Sequence, residues 1–317
     1  MQTLFVMDPL EKIHVDGDST YMLMLEGQRR DHGIWFCTPS GLFLKNGEGW
    51  ATAERVLVNA KAPHFEKKEV LTRSLGAFDV VWMRKDPPFD MDYILSTYLL
   101  DRASSQTLVV NHPTGLKLFN EKIWAMTFPD LHPPTLLSCD MEQIGDFVRA
   151  QPERAVLKPW DGNGGRGVLV TSAQDRNLGS MIELLTQNGR DYVIAQPYLK
   201  GADDGDKRIL LFNGEPVGAV LRVPGKTDFR GNMHVGASVE SCDLSPRDVE
   251  ICQTLGPQLK KYGQIFVGID VIDGYLTEIN ITSPTGIREI NRLNSVRLEA
   301  DLVDVVESCL SQHRETL

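Results

Sequence analysis

The stretch Phe266–Asn280, FVGIDVIDGYLTEIN, decides the fold because it combines two apolar strands of a predicted hairpin with three polar oxygen ligands. Glu278 and Asn280 are two positions apart on an extended run, so their side chains leave the same face, about 6 to 7 Å apart along the strand. Carboxylate and amide oxygens of this kind bind magnesium. With Asp270 on the neighbouring strand, they are candidate metal ligands.

Whether Asp270 faces the same site depends on the turn at Asp273-Gly274. A two-residue turn pairs Asp270 with Thr277 and makes Glu278 face away. An odd-length turn, for instance residues 273–275 with a bulge, pairs Asp270 with Glu278 and brings the ligands together. We predict the odd register over a surface hairpin, because apolar residues flank Asp270 on both sides and a carboxylate among them needs a partner.

Bulk properties limit the function classes. The 317 residues are 42% hydrophobic and 24% charged, which is typical of one to three globular domains. A net charge of -10 argues against a nucleic-acid partner. No apolar run is long enough to span a membrane, and the five widely spaced cysteines indicate reduced thiols, so we expect a cytoplasmic protein.

Apolar strands alternate with helical patterns in the first part of the chain, which predicts an α/β fold with a parallel or mixed sheet. Strands are expected at 4–7, 34–37, 78–83 and 108–110, and helices at 18–33, 93–103 and 116–128. After Pro129 the pattern becomes α+β. Strands are expected there at 155–158, 168–171, 192–196, 208–212 and 217–223, and helices at 141–150, 245–262 and 295–313.

The segment Gly162–Gly167, GNGGRG, matches G-x-G-x-x-G. A dinucleotide fingerprint requires a helix after this motif, but here the β-branched run Val168–Thr171 follows. A nicotinamide-dependent oxidoreductase is therefore disfavoured. A glycine turn between two strands resembles a flap whose backbone N–H groups fold over nucleotide phosphates, although such a loop alone is often only a hairpin turn.

Two lysines favour the phosphate interpretation. Lys158 ends the apolar run just before the glycine loop, and Lys122 offers a second positive charge. Either lysine alone is more often a solvated surface residue. Two lysines, a glycine flap and a cluster of oxygen ligands together imply bound Mg-ATP.

Arginines in the same part of the chain can bind carboxylates bidentately, and their alternative role is surface salt bridging. The candidates are Arg208, Arg222, Arg230 and Arg288. The long, glycine-bearing segment 223–241 is expected to be a loop that closes over a substrate. The turn Ser283–Gly286 is expected to offer backbone N–H groups to an anion.

Several motifs resemble one family. They are MRKDPPFD at Met83–Asp90, NEK ending at Lys122, LKPWDGNGG at Leu157–Gly165 and TEINITSPTGIRE at Thr277–Glu289. On these motifs the chain resembles the bacterial glutathione synthetases, which are ATP-grasp ligases. The resemblance implies an N-terminal domain at 1–121, a small ATP-grasp subdomain at 122–200, and a large subdomain at 201–317 that carries the lid 223–241 and the metal site.

The resemblance implies ATP-dependent joining of γ-glutamylcysteine to glycine through an acyl phosphate, with release of ADP and phosphate. It implies Mg²⁺ or Mn²⁺, in two ions, at Asp270, Glu278 and Asn280. It assigns the nucleotide to Lys122, Lys158, Gly164, Gly165, Gln196, Tyr198, Leu199 and Asp206. It assigns transition-state charge to Arg208 and Arg230, and the dipeptide to Arg222, Ser283 and Arg288. A homo-oligomer, either a dimer or a tetramer, is also implied.

Two positions depart from the family pattern. Residues 233–237 replace a glycine pair of the lid with a bulkier sequence, and residues 16–18 are acidic where relatives can carry lysine. Two alternatives remain open from the sequence. A different ATP-grasp ligase would keep the hairpin and the lysines but differ in MRKDPPFD and SPTG, and a non-catalytic nucleotide-binding module is the other.

Overall fold

The computed structural model describes residues 1–225 and 238–315, which form three sheets with helices packed against them. The first part of the chain contains β1 (Gln2–Val6), α1 (Ser19–Arg29), β2 (Gly33–Cys37), β3 (Leu42–Lys45), β4 (Glu48–Val58), β5 (Phe65–Ser74), β6 (Val80–Met83), α2 (Met91–Asp101), β7 (Leu108–Val110), α3 (Pro113–Leu118) and α4 (Glu121–Met126). These elements confirm the predicted α/β fold class of the N-terminal part.

The N-terminal sheet has seven strands in the order β3-β4-β2-β1-β6-β7, with β5 paired to β4. The strands β2, β1, β6 and β7 are parallel, as expected. The antiparallel strands β3, β4 and β5 were not predicted. Half of the residues of β5 are charged and most of them are exposed, so it lacks an apolar alternation and becomes a strand through its pairing with β4.

The single helix predicted at 116–128 is wrong, because the structure has two short helices, α3 and α4. Phe119 is extended between them, and Asn120 caps α4 by accepting hydrogen bonds from the backbone N–H groups of Lys122 and Ile123. Asparagine favours the start of a helix because its side-chain oxygen accepts hydrogen bonds from backbone N–H groups that have no partner within the helix. The break places Lys122 in the first turn of α4.

The middle part is a four-stranded antiparallel sheet in the order β10-β9-β11-β8. Its elements are β8 (Leu136–Ser138), α5 (Met141–Arg149), β9 (Arg154–Pro159), β10 (Leu169–Ser172), α6 (Leu178–Thr186) and β11 (Val193–Pro197). The helices pack on one face through a core that includes Ile144, Val148 and Ile182. The glycine loop joins two antiparallel strands, as predicted, and no helix follows it.

The third sheet is antiparallel in the order β14-β13-β12-β15-β16. Its elements are β12 (Asp206–Phe212), β13 (Glu215–Val223), β14 (Ser238–Ser241), α7 (Pro246–Lys261), β15 (Phe266–Ile272), β16 (Tyr275–Asn280), α8 (Ile287–Asn294) and α9 (Leu298–Glu315). The expectation of an irregular loop at 223–241 is wrong at 238–241, because β14 pairs there with β13 and so satisfies its backbone groups. Residues 226–237 of that loop lie outside the described part of the chain.

Two contacts join the N-terminal sheet to the third sheet. The buried Asn111, just after β7, donates to the carbonyls of Phe266 and Ile281 at 2.7 Å and accepts from the Phe266 N–H at 2.8 Å. Helix α9 packs against α1, and Val306 and Leu310 enter the same core as Met24. The third sheet is therefore held against the first by hydrogen bonds and by apolar packing.

Among the described residues, no helix has the length and apolar composition needed to cross a membrane.

Candidate active site

The β15–β16 hairpin has the predicted pairing of Asp270 with Glu278. The predicted three-residue turn is wrong, because Ile272 pairs with Tyr275 across a two-residue turn. Both turn residues have positive φ angles, 52° for Asp273 and 73° for Gly274, as a tight hairpin turn of the mirror-image type requires. The register shift instead falls within the strands, where Thr277 is the extra residue of a bulge.

The carboxylate of Asp270 accepts four hydrogen bonds. Its Oδ1 accepts from Arg208 Nε at 2.5 Å and from Arg222 Nη2 at 3.0 Å. Its Oδ2 accepts from Arg208 Nη2 at 3.0 Å and from Asn280 Nδ2 at 3.2 Å. An ionised carboxylate offers about four acceptor positions. A metal ion bound by Asp270 would therefore have to displace at least one of these donors.

Neighbouring charges and burial set the ionisation of two carboxyls on adjacent strands. Burial raises the pKa of Asp270, but Arg208 and Arg222 outweigh that effect and the pKa is lowered. Burial raises the pKa of Asp206 to about 6, against the opposing effect of Arg222. Asp206 accepts from Arg222 Nη2 at 2.5 Å, whereas its Oδ1 is buried without a partner. Asp206 thus has an acceptor that is not used within the described protein.

The oxygen atoms at and around Asp270 are suitable ligands for a divalent metal ion. Within residues 1–225 and 238–315, no group of three histidine, cysteine, aspartate or glutamate side chains could hold a metal. The predicted set instead has two carboxylates and one amide, Asp270, Glu278 and Asn280. Asn280 contacts Asp270 directly, and Glu278 lies opposite Asp270 and faces the same cavity. Such hard oxygen donors suit magnesium or manganese.

A cleft with an empty volume of about 1020 Å³ lies between the middle sheet and the third sheet. All eight residues predicted to bind the nucleotide line it: Lys122, Lys158, Gly164, Gly165, Gln196, Tyr198, Leu199 and Asp206. Asp270 and Glu278 also line it. Residues from distant parts of the sequence therefore meet in one cavity.

Two buried lysines face acidic side chains in this cleft. Lys122 Nζ lies 3.3 Å from Glu278 and donates to the Gly162 carbonyl at 2.5 Å. Burial lowers the pKa of Lys122, but Glu278 and Glu121 outweigh it and the pKa is raised. Burial lowers the pKa of Lys158, against the opposing effect of Glu278. Lys158 has no ion pair or hydrogen bond among the described residues, so it is available to a ligand.

The glycine loop adopts backbone angles that require glycine. The φ angles of Gly164, Gly165 and Gly167 are 61°, 74° and 73°. L-residues rarely adopt these angles, and no atom of the described chain lies within 4 Å of a Cβ built at Gly164. The loop thus exposes backbone toward the cleft at this position.

The strand β11 and its continuation form one wall of the cleft. The Gln196 side chain is turned to structural partners, since its Nε2 donates to Thr135 Oγ1 at 2.9 Å. The Tyr198 ring stacks on the Arg154 guanidinium, 3.8 Å from the ring centroid, and its hydroxyl bonds to Asp203. Both side chains are therefore held by other residues of the protein.

The remaining predicted site residues lie at or beyond the β15–β16 hairpin. Arg208 also donates to the Thr285 carbonyl at 3.4 Å, which ties the Ser283–Gly286 turn to Asp270. Arg288 donates to the Val15 carbonyl at 2.7 Å. Neither Ser283 nor Arg288 lines the large cleft. Arg230 lies outside the described residues.

Two buried polar residues that were not predicted as site residues support this region. Glu121 accepts from Thr282 Oγ1 at 2.7 Å, and burial raises the pKa of Glu121. Arg84 is buried and donates to the Pro284 carbonyl at 2.9 Å. Their motifs were noted, but sequence alone does not show which polar residues of a motif become buried.

Solved structures share this architecture at low sequence identity. A D-cycloserine synthetase aligns with a TM-score of 0.68 at 14% identity, covering 97% of this chain and 99% of the other. The D-alanyl-alanine synthetase A of Vibrio cholerae aligns with a TM-score of 0.60 at 14% identity, covering 98% and 99%. An ATP-grasp ligase in complex with a minimal precursor, Mg and ADP aligns at 0.63 and 16%, covering 97% and 98%. The fold is therefore that of the ATP-grasp proteins.

Comparisons of sequence narrow this class. The N-terminal domain of prokaryotic glutathione synthetases matches residues 1–117, and their ATP-grasp domain matches 121–295. The glutathione synthetase of Brucella melitensis is 47% identical, covering 95% of this chain and 97% of its own length. That of Thermosynechococcus vestitus is 45% identical, covering 94% and 97%. The chain belongs to the prokaryotic glutathione synthetase family, and it is an ATP-dependent ligase that uses a divalent metal.

Proposed function

We propose that the chain joins γ-glutamylcysteine to glycine at the cleft, with ATP as the energy source. The cysteinyl carboxylate attacks the γ-phosphorus of ATP, and the bond to the leaving oxygen breaks to release ADP. The glycine amine then attacks the acyl phosphate and loses a proton, and phosphate leaves as glutathione forms. Both steps depend on positioning and charge neutralisation, so no covalent enzyme intermediate is needed.

The observation that carries this proposal is the convergence of Lys122, Lys158 and the glycine loop on the acidic hairpin within one cavity. The side chains that line the cavity include three basic and three acidic ones, although the whole chain has a net charge of -10. The basic residues are Lys122, Lys158 and Arg166, the acidic ones are Asp206, Asp270 and Glu278, and Arg208 and Arg222 pair with Asp270 from behind the lining. This local charge suits a polyphosphate.

Each predicted residue then has a proposed role. Asp270, Glu278 and Asn280 hold two Mg²⁺ or Mn²⁺ ions, which supply charge neutralisation at phosphate oxygens. Lys122, Lys158 and the N–H groups of Gly164 and Gly165 hold the phosphates. Backbone groups of Gln196, Tyr198 and Leu199 contact the adenine. Asp206, whose Oδ1 is unpartnered, accepts from a nucleotide hydroxyl.

The arginines serve the reacting carboxylate. Arg208 and Arg230 stabilise transition-state charge, and Arg222, Ser283 and Arg288 bind the dipeptide. The Nε of Arg222 is buried without a partner, which leaves a donor for a substrate oxygen. Removal of Arg208 or Arg230 should therefore reduce turnover far more than ATP affinity.

The decisive experiment measures phosphate release with ATP, Mg²⁺ and glycine, with and without γ-glutamylcysteine, and weighs the product by mass spectrometry. Dipeptide-dependent release and a tripeptide of the mass of glutathione are expected. Release that does not need the dipeptide, or a product of another mass, would indicate a different ATP-grasp ligase.

We also infer a homo-oligomer, either a dimer or a tetramer. The exposed face of α2 supports this, because Met91, Leu95 and Tyr98 are 75%, 54% and 54% exposed at helical spacing. Sedimentation analysis should give a mass above the 35.4 kDa of one chain. A single species at the mass of one chain would contradict it.

We infer a cytoplasmic location, because all five cysteines are free, as in a reducing compartment. Cell fractionation followed by immunodetection tests this location. Recovery of the protein with the membrane or outside the cell would contradict it.

A further inference from the structure

Three arginines of the described chain are at least nine-tenths buried, namely Arg84, Arg208 and Arg222. Arg208 and Arg222 each form an ion pair with Asp270. Arg84 is 4% exposed and has no carboxylate within ion-pair distance among residues 1–225 and 238–315. A buried cation without a counter-ion is strongly unfavourable, so this arrangement calls for an anionic ligand.

The bonds that Arg84 makes fix its orientation and leave part of it unused. Its Nε donates to Thr20 Oγ1 and its Nη2 to the Pro284 carbonyl, both at 2.9 Å. Its guanidinium also lies 4.9 Å from the centroid of the Phe266 ring. The Nη1 group has no hydrogen-bond partner in the described part of the chain. Burial lowers the pKa of Arg84, and Asp18 and Asp86 oppose that effect without contacting it.

A carboxylate with an unpartnered oxygen, that of Glu289, lies near the two segments that contact Arg84. Glu289 Oε2 is buried without a hydrogen-bond partner, and Glu289 Oε1 would lie 3.9 Å from a Cβ at Gly17. Gly17 and Thr20 belong to one segment, and Pro284 and Glu289 belong to the other. Arg84, which forms no ion pair among the described residues, and Glu289, which has one unpartnered oxygen, therefore both border the contact between the N-terminal domain and the turn after β16.

This pair matches the chemistry of one end of the proposed dipeptide. In γ-glutamylcysteine the peptide bond uses the side-chain carboxyl of glutamate, so the glutamyl α-carboxylate and α-ammonium both stay free. The other carboxylate is the one that is activated, and it belongs near Asp270. Arg208 reaches the turn at Thr285 from that site, whereas Arg84 reaches it at Pro284 from the N-terminal sheet.

We propose that Arg84 binds the α-carboxylate of the γ-glutamyl group and that Glu289 binds its α-ammonium. This inference rests on the proposed function and names the residues that select a γ-glutamyl substrate. It adds two substrate-binding residues to those already proposed and places them where the two halves of the chain meet.

The test compares three substrates that differ at this end alone: γ-glutamylcysteine, γ-aminobutyrylcysteine, which lacks the α-carboxylate, and glutarylcysteine, which lacks the α-ammonium. Phosphate release gives KM and kcat for each with saturating ATP, Mg²⁺ and glycine. For the wild type, both analogues should have kcat/KM values about 10- to 100-fold lower, as for a lost charged hydrogen bond. Equal values for all three would overturn the proposal without any variant.

Two variants give opposite patterns. Arg84→Gln should raise KM about 10- to 100-fold for γ-glutamylcysteine and glutarylcysteine, and leave γ-aminobutyrylcysteine within about twofold. Glu289→Gln should raise KM for γ-glutamylcysteine and γ-aminobutyrylcysteine, and leave glutarylcysteine unchanged. If Arg84→Gln does not fold, Arg84→Lys replaces it, with the same pattern and a change of about tenfold.

A uniform loss for all three substrates in Arg84→Gln would show that Arg84 only holds the turn, and the proposal would be wrong. Failure of the proposed function is distinguishable, because the wild type would then release no phosphate with γ-glutamylcysteine itself.

Discussion

Two buried carboxylates of this protein each accept four hydrogen bonds that come mainly from arginines, yet their surroundings differ. Glu26 on α1 accepts two from Arg29 and one each from Arg30 and Arg297. Asp270 accepts two from Arg208, one from Arg222 and one from Asn280. The number of bonds therefore does not separate a structural site from a functional one.

The difference lies in the arginines and in the polar atoms left over. The side chains of Arg29 and Arg297 are 58% and 55% exposed, so the Glu26 cluster faces solvent and its charges are hydrated. Around Asp270 the arginines are buried, Arg222 Nε has no partner, and Asp270 lines the large cleft. Buried polar atoms without a hydrogen-bond partner beside a cavity indicate a ligand site. A surface cluster in which the carboxylate has all its hydrogen bonds indicates a structural role.

The largest effect should come from Asp270→Asn. The amide keeps the size of the side chain but loses the charge that pairs with two arginines and that the proposed metal site requires, so kcat should fall about 1000-fold. Steady-state phosphate release measures it. The matched control is Glu26→Gln, which removes the charge of the other cluster and should leave kcat within about twofold at a temperature where it is folded. Comparable losses of kcat in both would remove the distinction.

Glu26→Gln should instead lower the free energy of unfolding by about 3 kcal/mol, because its arginines lose their buried partner. Urea denaturation at pH 7 measures this change. Glu307→Gln is the control, since this carboxylate also contacts Arg30 but is 38% exposed, and it should cost less than about 1 kcal/mol. Equal costs would mean that the burial of Glu26 contributes nothing.

The stability lost in Glu26→Gln should depend on pH. Hydrogen bonds from Arg29, against burial, and from Arg30 lower the pKa of Glu26 from 4.5 to about 2. Because the folded-state pKa is lowered, this stabilisation is present above pH 4.5 and is lost as the pH falls toward 2. The stability difference between the wild type and Glu26→Gln should shrink over this range. A difference that is constant with pH would exclude an ionised Glu26.

Lys158→Met tests whether a charge without a protein partner serves a ligand. Methionine fills the space of the aliphatic stem, so KM for ATP should rise about 10- to 30-fold with little change in stability. Titration of ATP at saturating dipeptide and glycine measures it. An unchanged KM would remove Lys158 from the nucleotide site.

The smallest effect is expected for Thr277→Val. Thr277 Oγ1 donates to the Asp270 carbonyl at 3.1 Å within the bulge, and its loss should cost about 1 kcal/mol of stability. Urea denaturation measures the change. Because backbone pairing holds Glu278 opposite Asp270, kcat should stay within about threefold, and a larger loss would show that the hydroxyl itself sets the hairpin geometry.

The sequence correctly predicted that Asp270 pairs with Glu278. The pairing arises from a bulge at Thr277, however, and not from the odd-length turn that was expected. The expectation that both carboxylates share a face rests on the apolar residues around Asp270, because a carboxylate among them needs a partner. The turn type follows from Asp273 and Gly274, which accept positive φ angles and make two residues sufficient. The bulge at Thr277 depends on how β15 pairs with both of its neighbours, and one strand's sequence does not contain that information.

The same limit applies beyond the hairpin. The residues that the motifs predict to bind a nucleotide do meet in one cleft. The charged strand β5 and the break at Asn120 were missed, because strand pairing and helix capping outweigh the local apolar pattern there. The burial of Arg84 depends on Thr20 and Pro284, which are 64 and 200 residues away in the chain.

The packing of α9 on α1 has a consequence for biosynthesis. Helix α1 forms early as the chain leaves the ribosome, but Val306 and Leu310 cover the core around Met24 only after α9 has emerged. Until then the apolar surface of the nascent N-terminal half stays open to chaperones and proteases. Changes near α9 should therefore alter the yield of soluble protein more than the catalytic constants of the molecules that do fold.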